Sequence, residues 1–331
     1  MSVVMLNVKT AADIKSTNLN LQADAVIVGS GAGGAVMAYE LAAAGKSVIL
    51  LEAGPYVPSS QFNETFPDML ELLYEDKGNQ ATKQGDLLVL QGRCLGGSTV
   101  VNGCVTFRVP DFILQQWSAE FGLSNLSSES LAPYFEKVEK NLSIHTNGPH
   151  EINENSRKLQ TGAERLGWSV KPLKRNIKDC GLTGHCLSGC KTDRKQSMLV
   201  TYLPWACHYG ASIYTDTFAT RILTDNGRAT GIEAEIRDPQ SGKAVAKMTV
   251  RAKVVVAAAG AVQTPLLFLR SGLANGSGQV GKNFACHPST MIVAEFDGEV
   301  FTWRGAMLGV YVDEFEHPDK GGFVLEGGGA G

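Results

Sequence analysis

Asp24-Ala25-Val26-Ile27-Val28-Gly29-Ser30-Gly31-Ala32-Gly33-Gly34 decides the fold. The first five residues are a short apolar, β-branched run of the kind buried in parallel sheets. The glycines follow at once, and Ala35 to Ala44 are mostly helix formers and small residues. Gly45 closes that helix, Ser47 to Leu51 reads as a second apolar strand, and Glu52 stands at its end. A strand, a glycine turn, a helix and a second strand make a βαβ unit. Each part suits a dinucleotide: Gly29 permits the sharp turn, Gly31 lets the backbone approach a pyrophosphate, and Gly34 lets the helix pack closely on the strand. Glu52, 23 residues beyond Gly29, is placed to accept hydrogen bonds from ribose hydroxyls. An isolated glycine fingerprint could be a turn in an unrelated α/β protein; the flanking strands and the acidic residue argue for dinucleotide binding. The motif does not choose between NAD and FAD.

The chain has 331 residues and a mass of 35.3 kDa, enough for two ordinary domains or one large discontinuous one. Hydrophobic residues make up 44% and charged residues 19%, which excludes global disorder. Thirty basic against 33 acidic side chains give a net charge of −3, which argues against a nucleic-acid partner held through phosphates. Met1 to Asn20 shows no secretory pattern, and no apolar stretch reaches the ~20 residues of a membrane helix. Seven cysteines in such a chain read as thiols or metal ligands before disulfides, and the cytoplasm is the expected location.

A second glycine-dense loop runs Gly92-Arg93-Cys94-Leu95-Gly96-Gly97-Ser98-Thr99-Val100-Val101-Asn102-Gly103. A nicotinamide dehydrogenase has no work for it. A flavin cofactor does, because its pyrophosphate, ribityl chain and ring span a long distance and need close backbone contacts. Lys253 to Ala257 is another buried strand, running into Ala258-Ala259-Gly260-Ala261 and a helix pattern with Pro265 near its start. Asn226-Gly227-Arg228 separates two alternating segments, Thr217–Thr224 and Ala229–Ile236, and predicts a hairpin. Pro133 to Glu139 reads as a helix and Thr146 to Asn155 as a polar loop.

These motifs, with Val280-Gly281-Lys282-Asn283 and His287-Pro288 after them, resemble the glucose–methanol–choline (GMC) family of flavin-dependent alcohol oxidoreductases. Lys195 to Met198 and Thr201 to Pro204 look most like its cholesterol oxidase and long-chain alcohol oxidase branch. The resemblance implies an α/β, Rossmann-like FAD-binding domain with a parallel sheet, plus the start of an antiparallel-sheet substrate domain. The implied division is 21–140 for the first part of the FAD domain, 141–194 for a cysteine-containing insertion, 195–290 for the second part, and 291–331 for the beginning of the substrate domain. A strand is expected from Met291 to Phe296.

By the same resemblance, Gly29, Gly31, Gly34 and Glu52 would hold the ADP half of FAD. Arg93, Gly96, Gly97, Ser98, Asn102, Gly103 and Cys104 would line the pyrophosphate and flavin ring. Ala219 would touch adenine through its backbone, and Gly260 and Ala261 would approach the adenosine end. Some members attach FAD to a histidine in the second loop; Val101 stands near that slot and no histidine occurs from Thr99 to Cys104, so non-covalent FAD is expected. In the family a histidine takes the hydroxyl proton of an alcohol while the carbon passes hydride to the flavin. That histidine would lie beyond residue 331. The chain looks cut in mid-domain, running from Phe323 into Gly331, and is expected to turn over little by itself. No catalytic residue is assigned, and His145, His150, His185, His208, His287 and His317 read as surface or structural. A lipophilic small-molecule alcohol is the implied substrate, with the electron acceptor open.

Cys180, Cys186 and Cys190 fall within 11 residues. Three readings stand: an iron–sulfur cluster on three thiolates, zinc with His185 as fourth ligand, or plain structural or disulfide-linked cysteines. Trp303, Met307 and Tyr311 read as core, with a substrate pocket as the alternative. Two other functions stay open: a NAD-dependent dehydrogenase and a catalytically inactive FAD-binding remnant.

Overall fold

The computed structural model describes residues 6–328. Met1–Met5 and the Gly329–Gly331 end of the C-terminal glycine run lie outside them. In chain order the strands and helices are β1 (Val8–Lys9), β2 (Asn18–Val28), α1 (Ala32–Ala43), β3 (Val48–Leu51), α2 (Phe66–Leu73), α3 (Asp111–Phe121), α4 (Ser128–Asn141), β4 (Ile144–Thr146), α5 (Glu154–Arg165), β5 (Val170–Pro172) and β6 (Lys174–Asn176). They continue with α6 (Tyr202–His208), β7 (Ser212–Tyr214), β8 (Thr217–Asp225), β9 (Arg228–Arg237), β10 (Ala244–Ala257), α7 (Gly260–Ser271), β11 (Leu308–Val312) and β12 (Leu325–Gly328). They form two compact units, one of residues 1–101 and 197–294, the other of 102–196 and 295–331.

The first unit is built on a seven-stranded sheet of order β1-β7-β3-β2-β10-β9-β8. Its first five strands run parallel, and β9 and β8 add an antiparallel hairpin. The hairpin turn is Asn226-Gly227, both at positive φ (47° and 78°), the backbone that a two-residue turn matched to strand twist requires. The fingerprint strand is longer than its apolar run, because β2 pairs with β10 from Asn18 onward. Val26, Val28, Ile49 and Leu51 turn one face toward Ile222, Ile232, Ile236, Met248 and Val250 in a single apolar core. On α1, Ala35, Ala38 and Ala42 are buried, and Tyr39 meets Tyr202 and Trp205 of α6 edge to face at 5.4 and 5.8 Å.

The second unit holds an antiparallel sheet β12-β11-β5 and a two-stranded β4-β6 ribbon. The expected strand at Met291–Phe296 does not form. Residues 282–296 carry no regular structure, and Met291, Ile292 and Val293 are 85, 84 and 83% exposed. An apolar run becomes a strand only against a hydrogen-bonding neighbour, and among the described residues this one pairs with none; the antiparallel sheet uses Leu308–Val312 instead. No helix among the described residues is long and apolar enough to cross a membrane.

Candidate functional site

The carboxyl ends of β2, β3 and β10 lie side by side, because Gly29 N–H donates to Leu51 O and Ala258 N–H to Val28 O, both at 2.8 Å. In open parallel sheets this edge is where ligands bind. Four loops leave it or meet there: Gly29–Gly34, Glu52–Gly54, Ala258–Gly260 and Gly92–Thr99.

Glycines make the meeting possible. A Cβ on Gly29 (φ +98°) would sit 2.4 Å from Ala258 O, and one on Gly34 would sit 1.8 Å from Gly29 O. On Gly54 it would lie 2.4 Å from the Arg93 backbone, and on Gly92 2.8 Å from Gly97 O. Gly97 (φ +56°) comes within 3.0 Å of Gly31 Cα by the same measure. A Cβ on Gly31 meets nothing within 4 Å. The α1 N-terminus therefore opens onto space at Gly31 and Gly33 while Gly29 and Gly34 are closed by backbone, the shape of an anion cradle with free N–H groups.

A polar relay ties the two glycine loops together. Gly96 N–H donates to Ser30 Oγ at 2.9 Å, and Ser30 donates to Glu52 Oε2 at 2.6 Å. Glu52 also accepts from Ser30 N–H (3.0 Å) and Gly54 N–H (2.8 Å). The carboxylate is buried; burial pushes its pKa up, against the pull of those hydrogen bonds and of Arg93. Arg93 donates to Ala53 O at 3.2 Å and pairs with Glu75 at 3.5 Å. Ser98 Oγ accepts from Gly92 N–H at 3.0 Å. Thr217 N–H, at the start of β8, donates to Glu52 O at 2.8 Å, and Ala219 lies two residues further along β8. Gly260 (φ +84°) and Ala261 open α7 beside Gln91.

Sequence reasoning singled out Gly29, Gly31, Gly34, Glu52, Arg93, Gly96, Gly97 and Ser98, and these come together in the first unit. It missed Ser30, Gly54 and Gly92. The signal for Gly54 was its position two residues after the ribose acid; Ser30 carries none beyond lying inside the fingerprint.

Asn102, Gly103 and Cys104 belong to the second unit. Cys104 (φ +69°) is fully buried, with its Sγ 4.0 Å from Asn102 O. Lys195, also buried, donates from Nζ to Asn102 O (2.9 Å) and Cys186 O (2.8 Å). Arg175 is fully buried; it pairs with Glu151 at 2.9 Å and donates to Asn147. Glu151 also bonds His145 at 3.0 Å.

The three clustered cysteines do not gather at one centre. Leu182 N–H reaches Cys180 Sγ and Lys195 N–H reaches Cys190 Sγ, each at 3.4 Å, and Arg175 Nη1 lies 3.9 Å from Cys180 Sγ. Among the described residues no group of three His, Cys, Asp or Glu side chains is arranged to hold a metal, so neither the cluster nor the zinc reading finds support. No cysteine is disulfide-bonded. Met307 is buried as core, whereas Trp303 is 48% exposed. Tyr311 packs edge to face on Phe107 at 5.1 Å. Of the histidines in the first unit, His208 ends α6 against Tyr209 and His287 lies in the irregular 282–296 stretch.

Fold and loops define a Rossmann-like protein, and the comparisons with known proteins give the family. Residues 69–289 match the model described as GMC oxidoreductase, and residues 27–69 match an NAD(P)-binding Rossmann-like domain. The chain is 37% identical over 323 residues to an uncharacterized GMC-type oxidoreductase of Mycobacterium tuberculosis, covering 97% of this chain and 49% of that protein. It is 33% identical to a long-chain-alcohol oxidase of Arabidopsis thaliana, covering 92% of this chain and 41% of that one. Among solved structures it is similar to a pyridoxine 4-oxidase at TM-score 0.57 and 22% identity, covering 76% of this chain and 52% of the other. A formate oxidase follows at TM-score 0.56 and 19% identity, covering 76% and 48%. The chain belongs to the GMC oxidoreductase family. It spans about half the length of the curated relatives it matches.

Proposed function

We propose that this chain is the FAD-binding part of an alcohol oxidoreductase, holding the cofactor without a covalent bond. The observation that carries the reading is the fit of the first unit to a long dinucleotide: two glycine loops joined through Ser30, with open space at Gly31 and a buried acid at the end of β3. A nicotinamide cofactor needs only the first loop. Gly31 and the α1 N-terminus would receive the pyrophosphate, Glu52 the adenosine ribose, Ala219 and Gly260–Ala261 the adenosine end, and Arg93 with Gly96–Ser98 the flavin side. Bound FAD would supply the two-electron acceptor for a hydride from an alcohol carbon. These residues would bind and orient it.

A long-chain or otherwise lipophilic alcohol is the proposed substrate, on the strength of the long-chain-alcohol oxidase relatives. Residues 1–331 alone are proposed to bind flavin without turnover: in the first unit His208 ends α6 against Tyr209 and His287 lies in the irregular 282–296 stretch. The test is to purify the natural protein, read its bound cofactor by absorbance, and assay primary alcohols of increasing length with an artificial electron acceptor. Flavin with alcohol-dependent reduction supports the reading; activity that requires added NAD and no flavin overturns it.

A further inference from the structure

We propose that Asp216 is a positioning residue for the dinucleotide, tying an N-terminal arm, residues 7–14, to the turn that presents Glu52. The inference rests on the cofactor reading above and adds to it a residue that acts without touching the cofactor. Asp216 lies two residues past the end of β7 and is 6% exposed. Its φ of +54° falls in the left-handed region, which glycine, asparagine and aspartate tolerate best. Hydrogen bonds hold it there through both backbone groups and the side chain. Its N–H donates to Gly54 O at 3.1 Å, its O accepts from Arg237 N–H at 2.8 Å, and its Oδ2 accepts from Ala11 N–H at 3.1 Å. Glycine would meet the backbone angle without burying an acid. What the carboxylate adds is the bond to Ala11.

Both ends of that link are anchored. The arm runs along β7: Val8 and Lys9 pair with Ile213 and Tyr214, Thr215 N–H donates to Lys9 O at 3.0 Å, and Ala11 and Ile14 pack on the apolar core. At the other end Gly54 N–H donates to Glu52 Oε1 at 2.8 Å, and Arg93 donates to Ala53 O at 3.2 Å. Asp216 and Arg93 thus fix consecutive carbonyls of the Glu52–Gly54 turn, and the turn's own N–H orients the acid proposed for the adenosine ribose. Ala11 to Asp216, Asp216 to Gly54 and Gly54 to Glu52 make one hydrogen-bonded chain within the first unit. Freeing Asp216 from the arm lets the turn shift, carries the Glu52 oxygen with it, and weakens the hold on the dinucleotide.

Ala11→Pro removes the donor and leaves Asp216 in place. Ala11 opens a short 3₁₀ turn after an extended Thr10 (φ −94°, ψ 171°), a position where proline fits. The experiment titrates FAD by fluorescence into the flavin-free protein, unmutated and as Ala11→Pro, Asp216→Gly and Asp216→Asn, and follows hydrogen exchange of the same flavin-free proteins by mass spectrometry. Ala11→Pro and Asp216→Gly should each weaken FAD binding about five-fold, the usual effect of one hydrogen bond, and speed exchange across residues 52–54. Asp216→Asn keeps both the acceptor and the left-handed backbone, and should hold both readouts at the unmutated values. A residue that only makes a turn would be replaced by glycine with neither readout changed. Exchange at 52–54 that is unaltered in Ala11→Pro, or FAD bound equally by Ala11→Pro and the unmutated protein, would overturn the proposal. Absence of FAD binding by the unmutated protein would overturn the cofactor reading instead, and exchange would still decide whether the arm holds the turn.

Discussion

Gly33 and Gly34 are neighbours in the first turn of α1, and alanine should act on them with opposite sign. A Cβ at Gly34 would lie 1.8 Å from Gly29 O, 3.0 Å from Gly29 C and 3.3 Å from Ile27 Cγ2. The first two of these are backbone atoms and cannot rotate away. Gly29 is itself pinned, by its hydrogen bond to Leu51 O and by Ala258 O behind it. Helix α1 must lift off β2, an overpacking cost of about 1–3 kcal/mol, and the rigid partner places Gly34→Ala at the upper end. At Gly33 the new Cβ meets only the Ala258 Cβ, at 3.9 Å. There the substitution gains helix propensity, up to about 1 kcal/mol. At roughly 2–4 °C per kcal/mol for a domain of this size, a difference of about 3–4 kcal/mol should separate the Tm values of the two variants by about 6–16 °C, with Gly33→Ala the higher. Thermal unfolding followed by circular dichroism measures it. Equal shifts in the same direction would refute the close helix–strand packing on which the fingerprint reading depends.

Three further outcomes follow from the polar groups. Ser30→Ala removes the acceptor of Gly96 N–H and a donor to buried Glu52, and should cost about 1–3 kcal/mol in urea unfolding while weakening flavin retention. Arg175→Met leaves buried Glu151 without its cation and should cost about 3–5 kcal/mol, part of which Glu151→Gln in the same chain restores. Glu151 also sets a pH dependence. Burial pushes its pKa up, but the Gly148 N–H, His145 and Arg175 together hold it below the usual 4.5. A depressed carboxylate contributes stability that is complete above its unfolded pKa and is lost as pH falls through its folded one. The urea midpoint should therefore drop as pH falls below about 4.5, and less steeply in Glu151→Gln. Glu52, raised by burial, acts with the opposite sign: its contribution weakens stability as pH rises from 4.5 to its folded pKa.

The dinucleotide edge was legible because its signals are local. Apolar β-branched runs, a glycine turn and an acid at fixed spacing specify a βαβ unit whatever the rest of the chain does. The Asn226-Gly227 hairpin was legible for the same reason: two positive φ angles in succession leave few residue choices. The polar first half of β2 was not, because Asn18–Gln22 become a strand only through pairing with β10, more than 200 residues away. Met291–Phe296 failed in the other direction, since its pattern suits a strand whose partner is absent among the described residues. Cysteine spacing left a cluster, zinc and plain thiols open at 180–190, and among the described residues no metal-holding group forms there. Ser30 joins the loops through a residue whose type alone says nothing.

The central claim, that the first glycine loop cradles a flavin dinucleotide, rests most directly on Gly31. Its backbone (φ −67°) suits any residue, and a Cβ there meets no atom within 4 Å. A Gly31→Leu side chain therefore starts from a Cβ with free space around it and extends into the space proposed for the pyrophosphate. The measurement is a fluorescence titration of FAD, and in parallel of NAD, into the unmutated chain and Gly31→Leu, with Tm recorded for both. The account predicts saturable FAD binding by the unmutated chain and a loss of at least about ten-fold in affinity in Gly31→Leu, about 1.4 kcal/mol, at unchanged Tm. Binding of FAD with equal affinity by both proteins, or of NAD and not FAD, would contradict it.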